Sequence, residues 1–276
     1  MNTRTRDVPV STLAAFFAIA FGLAWGILAL YIFATDWAEA ALGPISGTHP
    51  LFMLAVYAPA IAAIGLVARQ GGAGGLRRFC GRLLLWRTSW PWALFLVLGI
   101  PVVFIAGALW KGNLDTAPVL TEPWPALFAA LAFMLVLGPI EELGWRGFAL
   151  PLLQRRLAPF WAGLVLGLIW ALWHLPAFFL SGTPQGEWGF APFFIGSVAA
   201  SVILTPLFNQ SGGSILLAML FHYQLINPLW PDAQPYDIPL FVLVAVVVTW
   251  LHRRTLFTRE GAVTVVIPAS RGRVVQ

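Results

Sequence analysis

Long apolar segments are the feature of this 276-residue sequence that most restricts its fold. Eight can be recognised, and they cover roughly residues 13–35, 51–68, 91–110, 126–153, 160–180, 191–208, 214–230 and 238–252. An α-helix of about 20 apolar residues crosses a bilayer and satisfies its own backbone N–H and C=O groups. Only 10% of the residues are charged, against about 25% in soluble domains. The sequence therefore predicts an all-α polytopic membrane protein with about eight transmembrane helices.

The connections between these segments alternate in charge. Arginines precede the first segment and follow the second, fourth and eighth: Arg4, Arg6, Arg69, Arg77, Arg78, Arg82, Arg87, Arg155, Arg156, Arg253, Arg254, Arg259, Arg271 and Arg273. The other connections carry mainly Asp and Glu. Because cytoplasmic loops of membrane proteins are rich in Arg and Lys, we expect both termini in the cytoplasm. The excess of basic residues then reports topology, and no nucleic-acid partner is expected. The composition, rich in Arg, Ala and Trp, favours a bacterial inner (plasma) membrane.

A pair of glutamates interrupts the fourth apolar segment, in the stretch PIEELGWRGFALPLLQRR at 139–156. An ionisable side chain at the bilayer centre costs at least about 2.5–3.5 kcal/mol, so it indicates a functional site. Glu142 and Arg146 stand four residues apart on one helix and are expected to form an ion pair. An ion pair that stabilises the helix is enough to explain these two residues. Glu141 has no basic residue three or four positions away, and it needs another polar partner.

Two histidines lie inside other apolar segments and are candidates for that partner. Glu141 precedes Leu157 by 16 residues and His174 follows it by 17. In an antiparallel helical hairpin these two side chains reach a similar depth. His222 lies near the centre of the seventh segment. We therefore expect Glu141, His174 and His222 to converge.

Such a group of residues suits two kinds of chemistry. Glutamate and histidine can polarise a water molecule and take its proton, which is general-base hydrolysis. One Glu and two His can instead ligate Zn²⁺ and leave a position open for water. His222 together with Asn227 is suited to donate hydrogen bonds to a developing oxyanion. The single cysteine, Cys80, excludes an internal disulfide and a cysteine-based metal site.

Three motifs in this order resemble those of a known family. They are EELGWR at 141–146, WALWH at 170–174 and FHYQLIN at 221–227. The pattern is similar to the CPBP family of intramembrane proteases, which includes the CAAX prenyl endopeptidases and bacteriocin-processing or immunity proteins. The resemblance covers roughly residues 125–230.

The resemblance implies roles for particular residues. Glu141 would be the general base or a metal-bound carboxylate, and His174 would help to hold the water. Glu142 and Arg146 would complete the first motif, while His222 would polarise the scissile carbonyl or bind metal. The family usually has Asn or Asp four residues after this histidine. Here that position is Ile226 and Asn227 is one residue further, which is about 100° around a helix.

The expected organisation has three parts. Residues 1–124 form N-terminal transmembrane helices and loops, residues 125–230 the CPBP-like catalytic core helices, and residues 231–276 the last transmembrane helix and a basic cytoplasmic tail. Within these parts, RQGGAGG at 69–75 predicts a flexible connection. The tail is expected to be disordered beyond about residue 262, although AVTVVIP can order locally.

The predicted function is hydrolysis of a peptide bond in a membrane-associated protein or peptide, within the lipid bilayer. Water would be activated by Glu141 and His174, with or without Zn²⁺ bound by Glu141, His174 and His222. Two alternatives remain open at this point. One is a non-catalytic immunity or scaffold protein of the same fold. The other is a proton-coupled transporter, although no inverted repeat supports it.

Overall fold

The computed structural model describes residues 8–269, and it is helical throughout its regular parts. The N-terminal helices are α1 (Thr12–Phe33), α2 (Thr35–Leu42), α3 (Pro50–Val56), α4 (Ala58–Cys80), α5 (Trp90–Leu94), α6 (Ile100–Lys111) and α7 (Pro118–Thr121). The helices that follow are α8 (Trp124–Val136), α9 (Glu142–Gly144), α10 (Leu150–Gln154), α11 (Pro159–Trp173), α12 (Phe190–Gln210), α13 (Ile215–Leu225), α14 (Asp237–Leu251) and α15 (Arg253–Leu256). No strand is found within these described residues. The prediction of an all-α polytopic membrane protein is confirmed.

Each predicted apolar segment contains helix, but the expected number of spans is corrected. Within residues 8–269, five helical stretches are long and apolar enough to cross a membrane: Thr12–Phe33, Trp90–Lys111, Trp124–Gln154, Pro159–Phe179 and Phe190–Gln210. A sixth is the pair Pro50–Val56 and Ala58–Leu84, which is bent by 55°.

The last two segments fall short of a full span by length. Helix α13 has 11 residues and α14 has 15, which correspond to about 16 and 22 Å. The hydrocarbon core is about 30 Å thick. The apolar run at 214–230 overestimated the helix because α13 ends at Leu225 and a turn containing Pro228 follows.

Two contacts relate the ends of these short helices to the rest of the bundle. Lys111, at the end of α6, forms an ion pair of 2.5 Å with Asp232, which follows α13. Arg78, near the end of α4, donates to the carbonyl of Pro268, which follows α14 and α15. The span that ends with α6 begins near the end of α4, so Lys111 lies at the opposite end of the bundle from Arg78. Asp232, before α14, contacts Lys111, and Pro268, after α14, contacts Arg78. Helix α14 therefore runs from one end of the bundle to the other.

Two local predictions concern residues 69–75 and the C-terminal tail. Residues 69–75 are helical on both sides of Gly72, where a φ of +59° interrupts the helix and produces a kink within α4. The segment 262–268 is ordered and packs against the bundle, with Val266 fully buried. Arg4, Arg6, Arg271 and Arg273 lie outside the described residues.

Helices α11 and α12 pack closely and hold the second motif in place. Ser201 donates its hydroxyl to the carbonyl of Gly163 at 2.8 Å. A Cβ placed on Gly163 would lie 2.3 Å from the hydroxyl oxygen of Thr205, so only glycine permits this approach. Small residues commonly bring membrane helices together in this way.

The N-terminal helix packs directly on the region of the motifs. Trp173 donates its indole N–H to the carbonyl of Ala20 at 3.1 Å, and Trp25 donates to the carbonyl of Trp173 at 3.0 Å. The ring of Phe16 stacks on that of Phe148. Helix α1 therefore forms one wall around the motif-bearing helices.

Candidate active site

The first motif lies on irregular backbone in the middle of an apolar span. After α8 the chain forms a 3₁₀ turn at Pro139–Glu141, the single turn of α9, and a π-helical turn at Trp145–Ala149. Pro139 contributes by lacking a backbone N–H. Irregular backbone at membrane depth is tolerated where protein surrounds it, and every residue from Glu141 to Leu152 is buried. We refer to residues 124–154 as the interrupted span.

Glu141 is bound by two tryptophan side chains. Its Oε2 accepts the indole N–H of Trp145 at 3.1 Å and that of Trp170 at 2.9 Å. The carboxylate is 3% exposed. Both indoles bond to the same oxygen, and neither bonds to Oε1. The polar partner required by a buried carboxylate is thus supplied by two neutral donors.

Glu142 connects the first and third motifs. Its Oε1 accepts the Nη1–H of Arg146 at 3.0 Å and lies 2.9 Å from Nδ1 of His222. Glu142 and Arg146 are fully buried and His222 nearly so. Removing two charges from water is costly, and a buried pair persists only when its geometry is good and further hydrogen bonds support it. His222 provides that support here, in addition to the pairing expected from the i, i+4 spacing.

Several polar atoms in this cluster have no partner among the described residues. They are Oε2 of Glu142 and both Nε and Nη2 of Arg146. The guanidinium of Arg146 lies 4.7 Å from the ring centre of Trp170, an arrangement that favours a cation–π interaction. Buried donors and acceptors are almost always satisfied by protein, water or ligand. These atoms therefore mark the part of the network whose hydrogen bonds the described side chains do not complete.

His174 stands at the end of α11 and is half-buried. Its Nδ1 lies 2.8 Å from the carbonyl oxygen of Trp170. Because a carbonyl can only accept, we assign the proton to Nδ1, which leaves the Nε2 lone pair available in the neutral ring. The rings of Trp170, Trp173 and Phe193 surround the imidazole at 4.8–5.7 Å between centroids.

Trp170 joins the three predicted polar groups. Its indole bonds to Glu141, its carbonyl to His174, and its ring centre lies 5.3 Å from that of His222. The structure therefore brings Glu141, His174 and His222 around one tryptophan.

Gly138 provides the space next to His222. A Cβ placed on Gly138 would lie 3.0 Å from Nε2 of His222 and 2.7 Å from Cδ1 of Ile226. Since Nδ1 of His222 faces the carboxylate of Glu142, Nε2 is the ring atom left to face this space. Glycine at position 138 thus allows the backbone to pack closely against this edge of the histidine.

Asn227 is held in the turn that follows α13. Its Nδ2 donates to Oε1 of Gln224 at 2.9 Å, and its Oδ1 accepts the backbone N–H of Leu229 at 3.0 Å. The described hydrogen bonds do not connect Asn227 to Glu141, Glu142 or His222. The shift of one position from the family spacing has placed this side chain in a turn.

The residues do not fit a three-ligand metal site in this arrangement. Within residues 8–269, no group of three or more His, Cys, Asp or Glu side chains is arranged to hold a metal ion. Oε2 of Glu141 accepts the indole N–H of Trp170, and Nδ1 of His222 lies within hydrogen-bond distance of Glu142.

Two residues of the site were given no role from the sequence, although Trp170 is the aromatic residue of the second motif. Trp145 is four residues after Glu141, so helical spacing could have identified it if neutral donors as well as basic residues had been considered. Trp170 is 29 residues from Glu141, and only helix packing brings it there.

The fold and the cluster define a class of protein: a helical membrane protein whose buried Glu-Glu-Arg-His network is enclosed by tryptophans. Residues 123–227 match the family described as Type II CAAX prenyl endopeptidase Rce1-like. The chain is also similar to the protein named CAAX prenyl protease 2 from Methanococcus maripaludis, with 31% identity over 147 residues. This alignment covers 49% of the chain and 54% of that protein, so the chain spans about half the length of the relative. Both matches support the resemblance read from the three motifs, and the segment around the site is similar to this family.

Proposed function

We propose that the protein is an intramembrane endopeptidase that hydrolyses a peptide bond in a membrane-associated protein or peptide. The observation that best supports this is the buried carboxylate of Glu141 on two indole donors, beside the Glu142–Arg146–His222 network. A carboxylate in a site that excludes bulk water is suited to take a proton from a single bound water. The family and the relative described above are consistent with this chemistry.

The first step is activation of water. Glu141 accepts one proton from a water molecule, while Nε2 of His174 accepts a hydrogen bond from the same water and orients it. The water oxygen then attacks the carbonyl carbon of the scissile bond. The two tryptophan donors hold the Glu141 carboxylate in one orientation, so that little rearrangement precedes proton transfer.

The second step is stabilisation of the oxyanion and breakdown of the intermediate. Arg146 has N–H groups without a partner among the described residues, and Nε2 of His222 is the ring nitrogen that does not face Glu142. We assign stabilisation of the developing oxyanion to these two side chains. The C–N bond then breaks, and the leaving amine takes the proton held by Glu141. The other product keeps the water oxygen as a carboxylic acid.

The orientation of the chain is part of the proposal. Arg78, Arg82 and Arg155 lie at one end of the bundle, where they bond to the C-terminal segment. Loops rich in arginine are usually cytoplasmic. We assign this end to the cytoplasm of a bacterial inner membrane, with both termini on that side.

Cleavage of defined peptides by purified protein tests the proposed function. An internally quenched peptide ending in a prenylated CAAX sequence, the same peptide without the prenyl group, and an apolar transmembrane peptide serve as three probes. We expect at least one to be cleaved by the wild type in proteoliposomes. Failure to cleave any of them, or equal cleavage by Glu141→Gln protein, would contradict the proposal.

A zinc chelator tests whether cleavage requires a bound metal. Cleavage that persists after treatment with a strong zinc chelator is expected when Glu141 acts as the base without metal. Loss of cleavage that added Zn²⁺ restores would contradict the metal-free mechanism and leave the endopeptidase activity itself established.

A further inference from the structure

The C-terminal segment is tied to the interrupted span through its backbone. We refer to residues 262–268 as the C-terminal strap. Four of its carbonyl groups accept hydrogen bonds from side chains: Val263 from Gln154 (2.8 Å), Thr264 from Arg155 (2.7 Å), Val266 from Arg82 (3.3 Å) and Pro268 from Arg78 (2.9 Å). The N–H of Val263 donates to Asn209, whose amide also pairs reciprocally with Gln154. The backbone groups of this irregular segment are thus hydrogen-bonded by side chains. These side chains belong to α4, α10 and α12 and to the connections that follow α4 and α10.

Apolar packing holds the same segment. Val266 is fully buried and Ile267 is 6% exposed. Cδ1 of Ile267 lies 2.8 Å from a Cβ placed on Gly71 and 3.4 Å from one on Gly75. Because these two positions of α4 are glycines, Ile267 can pack closely against the helix there.

Arg82 connects the strap to the interrupted span. This arginine is 2% exposed, and its guanidinium donates to the carbonyls of Gly213 (2.8 Å), Gly147 (3.1 Å) and Val266 (3.3 Å). The guanidinium also lies 5.1 Å from the ring centre of Phe208. A buried cation requires hydrogen-bond partners, and backbone carbonyls of separate segments provide them for Nε and Nη1.

The contact with Gly147 bears directly on the site. Gly147 lies in the π-helical turn Trp145–Ala149, immediately after Arg146. In a regular α-helix its carbonyl would accept the N–H of residue 151, but that residue is Pro151 and has none. Arg82 supplies a donor to this carbonyl. The irregular turn that carries Trp145 and Arg146 is therefore supported from outside the helix.

We propose that Arg82 and the C-terminal strap position the π-helical turn that directs Trp145 toward Glu141 and Arg146 toward Glu142. The part of this inference that concerns rate rests on the proposed endopeptidase function. Both Arg82 and the strap lie outside residues 123–227, the segment that matches the family. The part of the chain outside this segment therefore contributes support to the site.

Hydrogen–deuterium exchange of the full-length protein in detergent tests the positioning without any substrate. Arg82→Met removes the donors and keeps a long apolar side chain, and Arg87→Met is the matched control at an exposed arginine five residues further on. Hydrogen bonds to a charged group contribute about 1.5–3 kcal/mol. We expect exchange in peptides covering residues 142–154 to rise about tenfold or more in Arg82→Met, and to stay at the wild-type rate in Arg87→Met. Unchanged exchange in folded Arg82→Met protein would overturn the inference.

Milder variants apply if Arg82→Met does not yield folded protein. Arg82→Lys retains the charge and at least one donor, and it should raise exchange in the same peptides by a smaller factor. Ile267→Ala loosens the strap from α4 and should act in the same direction. If both variants fold and leave residues 142–154 protected as in the wild type, the inference fails.

Kinetics then distinguish positioning from general stabilisation. A displaced turn should lower kcat, by up to about 100-fold, with KM and the melting temperature changed far less. Arg82→Lys should recover part of kcat. A fall in stability with kcat unchanged in the folded fraction would show that Arg82 has a structural role only. If wild-type protein cleaves none of the probes, the proposed function fails, whereas the exchange experiment still decides the positioning.

Discussion

The indole N–H of Trp170 donates to Oε2 of Glu141 across 2.9 Å, and this hydrogen bond joins the second motif to the first. The same tryptophan presents its ring to the guanidinium of Arg146 and its carbonyl to His174. Trp170 therefore contacts the proposed base through its indole and the histidine that would orient the water through its backbone carbonyl.

Trp170→Phe should lower kcat by about tenfold or more. The substitution retains an aromatic ring beside Arg146 but removes a hydrogen bond to a carboxylate, a contribution of about 1.5–3 kcal/mol that the rate would lose if the bond orients the base. The measurement is cleavage of whichever peptide probe the wild type accepts. Trp161→Phe is the control, because Trp161 lies on the same helix and is 50% exposed. Equal rates for Trp170→Phe and wild type would show that the indole bond does not assist Glu141.

Glu142→Gln should destabilise the protein strongly. Removing one partner of a buried ion pair leaves the other charge uncompensated and costs about 3–5 kcal/mol. The melting temperature in detergent should therefore fall well below that of Glu122→Gln, a change at an exposed glutamate. Combining Glu142→Gln with Arg146→Met should recover part of the loss, because neither charge then remains. A double variant less stable than the single one would contradict this explanation.

Gly138→Ala should impair activity more than stability. The added methyl group would meet Ile226 and approach Nε2 of His222 to 3.0 Å. We expect kcat to fall while the protein remains folded, and Ile226→Val in the same chain to restore part of it by removing Cδ1. The control is Gly22→Ala, where an added Cβ meets nothing within 4 Å. Wild-type kcat in Gly138→Ala protein would mean that the space beside His222 is not used.

Residues 115 and 255 should be accessible from opposite sides of the membrane. Position 115 lies beside the end of α6, which pairs with Asp232, and position 255 follows α14. Single cysteines at these exposed positions, in a chain with Cys80→Ser, can be labelled with a membrane-impermeant maleimide in intact and permeabilised cells. Labelling of both from the same side would contradict the proposed topology.

The sequence predicted the parts of the structure that depend on local spacing. The apolar runs located the helices, and the four-residue separation of Glu142 and Arg146 located their ion pair. The length of α13 was predicted less well, because hydropathy could not distinguish the apolar residues of the turn after Leu225 from helix.

Relationships between distant segments could not be predicted from periodicity. The bond between Trp170 and Glu141 depends on how α11 packs against the interrupted span. Local order in AVTVVIP, the C-terminal strap, was allowed for by the sequence, but its partners could not be identified because they are side chains of distant segments that bond to its backbone. Arg82, read from the sequence as one more topological arginine, lies buried at the centre of those bonds.

The most direct test of the proposed function is the cleavage rate of purified Glu141→Gln protein. Glutamine retains the volume of glutamate and can still accept both indole hydrogen bonds, but it cannot take a proton from water. We expect the rate to fall by about 10²–10⁴-fold, while the melting temperature remains close to that of the wild type. A folded Glu141→Gln protein that cleaves at the wild-type rate would contradict the account.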